Sequence, residues 1–420
     1  MTAIPEQPGL PPRVAPAPAQ ASAPPRGSSE SFGLLRSALI VALILGVPTY
    51  LALLSRNPPV PWHPDARLDF HGDSWDGNLV TDGDRVYLMT REEINGFWGV
   101  LYVRSSGDGG WTWGDPVQVS AAGGPSAARH TLTVGPDGSL WAAWSQLGSA
   151  PSTQQLILRR SRDDGRTWEA PIRASQADVG LVGIPALVMT PETSFVAFTD
   201  GERGTVIVQE LDADGAPTSD PTDLRATTRE LYSDDLFLDA GIGAAAVGDR
   251  RVVVIHDGTG LWRATSAGPG RPWLETSWYV GAAYGPPRLA EIDGGLTALS
   301  SVVTGDGNVQ ISFESSSDGG LTWVGGATWL DPMAGDASMA VTPDQTTVLW
   351  ESCDTFCSAP VIRLGDVEAA NGRSARIDGS TGRPAGALLT DATMIVAWIE
   401  QGGDGAAEDR TVVVATGPRP

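Results

Sequence analysis

The 420-residue chain carries 28 Lys+Arg against 50 Asp+Glu, a formal charge of −22, and every one of its basic residues is arginine. Such acidity argues against nucleic acid or any other polyanion as partner, because like charges repel at the surface. Its 41% hydrophobic content, 51 glycines and 15 tryptophans exclude a wholly disordered chain, and suit one large all-β domain of short strands and tight turns.

Residues 1–36 are rich in Ala, Pro and Ser and hold too little large apolar surface to offset ordering entropy, which reads as a disordered tail. Ser37 to Leu54 is an uncharged apolar run of 18 residues, close to the span of a bilayer. Pro48 would kink such a helix, and Tyr50 suits its outer interface. A cleaved signal peptide is the alternative, but about 36 residues precede the run and L-A-L-L-S-R follows it, without a small-residue cleavage pattern. Arg13, Arg26 and Arg36 lie before the run, and acidic Asp65 and Asp69 follow soon after it. This bias places the N-terminus in the cytoplasm and the large domain outside. Residues 55–66, with four prolines, read as a stiff linker.

From 67 to 417 the chain is a repeat. An apolar strand, a Gly/Asp/Pro turn and a second strand recur at 79–88, 132–144, 187–198, 245–255, 289–299, 339–350 and 388–398, their starts 44 to 58 residues apart. A third strand follows each hairpin, for example L-Y-V-R at 101–104 and L-I-L-R-R at 156–160. The last unit stops after its third strand, so R-L-D-F-H-G at 67–72 is expected to supply its outer strand and remove an open edge.

An eight-residue figure follows three of the third strands: S-G-D-G-G-W-T-W at 106–113, S-R-D-D-G-R-T-W at 161–168 and S-S-D-G-G-L-T-W at 316–323. Its fixed positions are Ser106, Asp108 and Trp113, then Ser161, Asp163 and Trp168, then Ser316, Asp318 and Trp323. Short Ser and Asp side chains accept hydrogen bonds from their own turn, and Gly110, Gly165 and Gly320 permit positive φ. A degenerate copy at 266–273 has Gly268 in place of Asp, and a fainter one spans 212–218. The figure resembles the Asp box of BNR-repeat, sialidase-like β-propellers. The resemblance covers about 67–417 and implies an all-β propeller, read here with seven blades and with six as the alternative. In that family the Asp boxes sit away from the active site, so these residues are structural.

The opposite face then carries the candidate loops 89–98, 120–129, 225–239, 279–288, 351–360 and 378–383. Arg129, Arg288 and Arg383 begin inner strands there, and the resemblance implies a three-arginine clamp on a substrate carboxylate. The same arginines also suit wet strand ends in a chain that uses no lysine. The resemblance further implies a nucleophilic Tyr after the third Arg, yet no Tyr follows Arg383, and no F-R-I-P segment opens the propeller. Glu230, Tyr232 and Tyr284 remain binding candidates; the acidic stretch around Glu230 also reads as a solvated loop. Cys353 and Cys357, spaced C-x3-C, suit a disulfide outside the cytoplasm. No spacing of the four histidines fits a metal, and no cofactor is implied. The expectation is a membrane-anchored propeller that binds a glycan or protein outside the cytoplasm, with a sialidase-like hydrolase as the alternative. Cell fractionation tests the anchor: the chain is expected in the membrane fraction with its sequence before Leu54 intact, whereas a soluble chain beginning beyond Leu54 marks a cleaved signal.

Overall fold

The computed structural model describes residues 66–68, 74–93, 99–121, 127–148, 153–180, 182–226, 241–256, 260–280, 286–304, 308–331, 334–342, 345–352, 361–366, 377–378, 385–388, 393–401 and 410–418. The tail, the apolar run and most of the linker lie outside these residues. Among the described residues no helix is long and apolar enough to cross a membrane.

Everything described is strand or turn. After the short β1 (Ala66–Leu68) come four-stranded antiparallel units. The first holds β2 (Ser74–Asp82), β3 (Arg85–Glu93), β4 (Gly99–Ser106) and β5 (Val117–Gln118); the second holds β6 (Ala127–Val134), β7 (Leu140–Leu147), β8 (Gln154–Ser161) and β9 (Ile172–Arg173). β10 (Ala186–Met189), β11 (Ser194–Asp200), β12 (Thr205–Leu211) and β13 (Thr222–Ala226) follow, then β14 (Ile242–Val247), β15 (Arg250–His256), β16 (Gly260–Ser266) and β17 (Trp273–Val280). The next units are β18 (Arg288–Ile292), β19 (Gly295–Val303), β20 (Val309–Ser316) and β21 (Val324–Asp331), then β22 (Ala334–Thr342), β23 (Gln345–Ser352), β24 (Val361–Asp366) and β25 (Ile377–Asp378). The closing unit is β26 (Ala385–Leu388), β27 (Thr393–Gln401) and β28 (Arg410–Pro418), and β1 completes it.

That closure is the one expected from the chain ends: Ala66, Arg67 and Leu68 pair antiparallel with Val414, Val413 and Val412. The first strands of successive units pack side by side in a ring, from β2 through β6, β10, β14, β18, β22 and β26 back to β2. This is a β-propeller, in which radial repetition leaves only short edges. The expectation of seven separate blades is corrected, because the strands form six hydrogen-bonded sheets, five of four strands and one of eight. The eight-stranded sheet arises where Gly99 at the start of β4 pairs with Ala127 at the start of β6 and fuses the first two units.

Alternation explains the layers. In β4 buried and half-buried residues alternate, which sends Leu101 and Val103 into one neighbouring layer and Tyr102 toward the other. Second strands are covered on both sides, so Leu140 to Trp144 are all buried, as are Arg251 to Ile255. Each apolar cluster joins neighbouring units: Trp141 and Leu158 meet Val196 and Phe198, while Leu299 and Ile311 meet Val348 and Trp350. Fully burying such a side chain contributes about 1.5–3 kcal/mol.

The three eight-residue figures share one geometry. The Ser106, Ser161 and Ser316 hydroxyls accept the Gly110, Gly165 and Gly320 N–H at 2.8–2.9 Å, and donate to Asp108, Asp163 and Asp318 at 2.8–2.9 Å. Each Asp accepts the backbone N–H of Thr112, Thr167 or Thr322, and that Thr hydroxyl donates to its second oxygen at 2.5–2.6 Å. The Trp113 and Trp323 indoles donate to Gly110 O and Gly320 O at 3.0 and 2.9 Å, whereas the Trp168 indole N–H finds no partner among the described residues.

These turns clasp the preceding unit as well as themselves. A Cβ on Gly110 would stand 2.7 Å from Ile395, one on Gly165 3.3 Å from Val103, and one on Gly320 2.4 Å from Val252. Arg263 stacks on the Trp323 ring at 4.3 Å, and burial pushes its guanidinium down to about 10 against the opposing pull of Glu314. The degenerate copy shows what replaces its missing Asp. Arg251, fully buried, donates to Ser266 Oγ and Gly268 O and pairs at 2.8 Å with Glu210 of the preceding unit, which also accepts the Gly270 N–H at 2.8 Å. In the faintest copy Asp212 holds the N–H groups of Asp214 and Ala216, and Gly215 lies against Trp141.

Two outcomes follow from this geometry. Gly320 has φ +88° and no room for a Cβ, so Gly320→Ala is expected to lower unfolding free energy by about 2 kcal/mol or more, read by urea titration. The Thr167 and Thr322 hydrogen bonds hold Asp163 and Asp318 below the ordinary carboxyl range, and Ser139 with Arg160 holds Asp137 at about 2. Because their folded values lie below the unfolded 3.8, their stabilisation is complete above about pH 4 and is lost as pH falls toward 2. The melting temperature is expected to drop across that window, and a Thr167→Val, Thr322→Val variant to show a shallower drop.

Candidate functional site

The figures fix the two faces. Within the second unit Asp137 of the β6–β7 turn pairs with Arg160, directly before the second figure, Gly109 N–H donates to Asp84 O in the β2–β3 turn, and Arg250 donates to Asp318 O at 2.9 Å. All these turns crowd one face. The opposite face collects the starts of the inner strands and the ends of the second strands, around the mouth of the central channel.

That mouth is polar and buried. β3 ends in Thr90, Arg91 and Glu92, β6 opens with Arg129 and His130, β11 ends in Thr199 and Asp200, β15 ends in His256, and β19 carries Ser300 and Ser301; all are buried. Charged groups rarely sit so deep unless they are paired or used. Close backbone approach draws the ring in: Ile184 bridges Gly241, and a Cβ on Gly241 would stand 2.0 Å from Pro286 and one on Gly243 2.6 Å from Pro287 O. Only glycine fits at these two positions.

Arg129 is the most constrained residue there. It is the extra residue of a β-bulge, since Ala128 pairs with Ser145 and His130 with Trp144, and it holds φ +27° while only 7% exposed. A bulge re-aims one side chain, and positive φ at a non-glycine residue stores about 1–3 kcal/mol of strain. β2 is irregular at the corresponding place, between Trp75 and Asn78, and β22 between Ala334 and Ala337. Asn78 Nδ2–H donates to His130 O at 3.4 Å, tying β2 to β6.

Glu92 and Tyr102 lie diagonally across β3 and β4, where Thr90 faces Tyr102 and Glu92 faces Val100. Burial first, and the Glu92 charge second, push the Tyr102 phenol up, which favours its protonated form. Asp200 is committed to structure: it accepts the N–H groups of Gly180, Glu202 and Arg203 at 3.0–3.2 Å. The mouth therefore concentrates charged and hydrogen-bonding side chains.

Of the residues nominated from sequence, Arg129 and Arg288 both stand at this mouth, at the starts of β6 and β18. Their strands, β6 and β18, are not neighbours in the ring. Arg383, Glu230, Tyr232 and Tyr284 lie outside the described residues, and so do Cys353 and Cys357. Arg91 and Glu92 fall in the candidate loop 89–98 without being singled out, and Asn78 and Tyr102 escaped the sequence reading. Its one available signal was R-E-E directly after an apolar strand, where the register continues inside the sheet. Among the described residues no group of three or more His, Cys, Asp or Glu could hold a metal ion.

The fold and this mouth define an all-β propeller with a polar channel opening. No family model matches the sequence, and no curated protein matches it. Solved structures do resemble it. A protein of unknown function from Dyadobacter fermentans aligns with TM-score 0.51 at 14% identity over 86% of this chain and all of its own. The alpha-L-arabinofuranosidase Arb93A from Fusarium graminearum, bound to an iminosugar inhibitor, aligns with TM-score 0.50 at 13% identity over 85% and 98%. An ulvan lyase of polysaccharide lyase family 25, bound to a GlcA–Rha3S oligosaccharide, aligns with TM-score 0.50 at 14% identity over 83% and 95%. At such identities the likeness is one of fold.

Proposed function

We propose that the protein is a sialidase-like propeller of the BNR-repeat kind, its eight-residue figures being Asp boxes, and that it binds a glycan at the channel mouth without cleaving it. The observation that carries this reading is Arg129: a buried guanidinium on a strained bulge, at the mouth that faces away from the structural turns. Strain at a non-glycine residue persists only where the surroundings over-determine it, and a guanidinium so placed suits a carboxylate or sulfate on a sugar. The arabinofuranosidase, bound to an iminosugar inhibitor, and the ulvan lyase, bound to an oligosaccharide, share the fold, and this supports a glycan over a protein ligand. The absence of any Tyr after Arg383 favours binding over a sialidase mechanism. We place the domain outside the cytoplasm on the apolar run 37–54, with Cys353 and Cys357 joined.

A glycan array probed with the full-length chain tests the reading. Acidic oligosaccharides are expected to bind, and Arg129→Ala to weaken them about tenfold or more, the loss of a charge-assisted hydrogen bond. Turnover of a fluorogenic sialoside that Arg288→Ala abolishes would replace binding by the hydrolase alternative, with Arg129, Arg288 and Arg383 as its clamp.

A further inference from the structure

Away from the channel, a crevice opens between the first two units. Its volume is about 610 Å³, within the roughly 300–1,000 Å³ of small-ligand sites. Gln118, Ser120 and Ala121 of the outer edge of the first unit form one wall, and Trp144, Gln146, Ile157, Arg159 and Arg173 of β7 to β9 form the other. Trp144, Ile157 and Ala121 supply apolar surface, while the polar groups come from the two amides and two guanidiniums.

Two observations single it out from an ordinary gap between sheets. First, Arg159 has no carboxylate beside it among the described residues, in a chain of net charge −22 where other guanidiniums of the same unit, Arg160, Arg162 and Arg173, are ion-paired. It is held instead by three backbone carbonyls, Glu169 O at 2.6 Å, Trp168 O at 2.9 Å and Val119 O. These fix its plane and leave one N–H on each terminal nitrogen. Second, Gln146 makes no side-chain hydrogen bond among the described residues, and Gln118 uses only its N–H₂, donating to Ser120 O at 2.9 Å. Arg173 is by contrast occupied by Asp178 and Ser175 O, so it braces the wall.

We propose that this crevice is a second ligand site, separate from the channel mouth, and that it takes a small carboxylate-bearing polar molecule of monosaccharide size. The carboxylate lies on Arg159, a fixed and uncompensated cation. The amide of Gln146 donates to its hydroxyl or ring oxygens, and Trp144, Ile157 and Ala121 cover its apolar side.

Calorimetric titration of the full-length chain with D-glucuronate, and in parallel with D-glucose, tests this. Glucuronate is expected to bind saturably and glucose at least about tenfold more weakly, the difference being one charge-assisted hydrogen-bonded pair. Gln146→Ala removes the amide and one methylene, and is expected to weaken glucuronate severalfold while the melting temperature holds. Arg159→Ala loses three structural contacts, so Arg159→Lys, which keeps the charge and loses the fork, replaces it and is expected to weaken binding as well. Gln146→Ala is expected to leave the acidic-oligosaccharide binding of the channel mouth in place, which separates this site from the glycan site proposed above. Absence of saturable glucuronate binding, equal affinity for glucose, or indifference to both Gln146→Ala and Arg159→Lys each overturns the proposal.

Discussion

The docking of one turn glycine on the strand of the unit before it is the constraint on which the propeller depends. A sheet of four strands cannot bury both faces alone, so each unit must be held in register against its neighbour. The Ser–Asp–Thr hydrogen-bond cage fixes the turn, and the turn then presents a residue without a Cβ to Ile395, Val103 or Val252. Internal satisfaction of the polar groups and close approach are thus achieved by the same eight residues. The degenerate unit keeps the function by other means, with the buried Arg251 and Glu210 of the neighbouring unit taking over the roles of the lost carboxylate.

One consequence is a division of labour between the two faces. Where the turns clasp, charged groups are spent on structure, as the carboxylates of Asp137, Asp164 and Asp318 are. At the channel mouth the ring is drawn in by bare backbone at Gly241 and Gly243, so side chains there are released from packing duty and can be polar. Bulges in β6, β2 and β22 at that end turn residues out of the regular alternation. The candidate ligand surfaces follow from this: the mouth around Arg129, and the crevice where the outer edge of the first unit stands off β7 to β9.

Much of the repeat was legible before any coordinates. The hairpins at 79–88 and 132–144, the hydrogen bonding of Ser106 and Asp108 within their own turn, and the closure through residues 67 and 68 rest on period-two alternation and turn chemistry, which are local. The count of separate sheets was not legible, because the single Gly99 to Ala127 pairing that fuses two units joins residues that no periodicity distinguishes. Nor did R-E-E at 91–93 announce Arg91 and Glu92 as buried, since a charged run after a strand is ordinarily a solvated loop. The candidates in the acidic stretch around Glu230 and Tyr232 lie outside the described residues and draw nothing from the fold.

The sequence by itself determined the acidic charge, the all-β repeat, the turn figures and the order in which the chain closes. These depend on alternation and on side chains bonding within their own turn, interactions that span a few residues. Only the tertiary structure decided that Arg129 sits strained and buried at the channel mouth, that Glu210 and Arg251 replace a missing aspartate, and that Arg159 and Trp144 share a crevice. Each of those facts needs residues from different strands or neighbouring units to meet, and the packing of one sheet on the next, not any local pattern, sets which ones do.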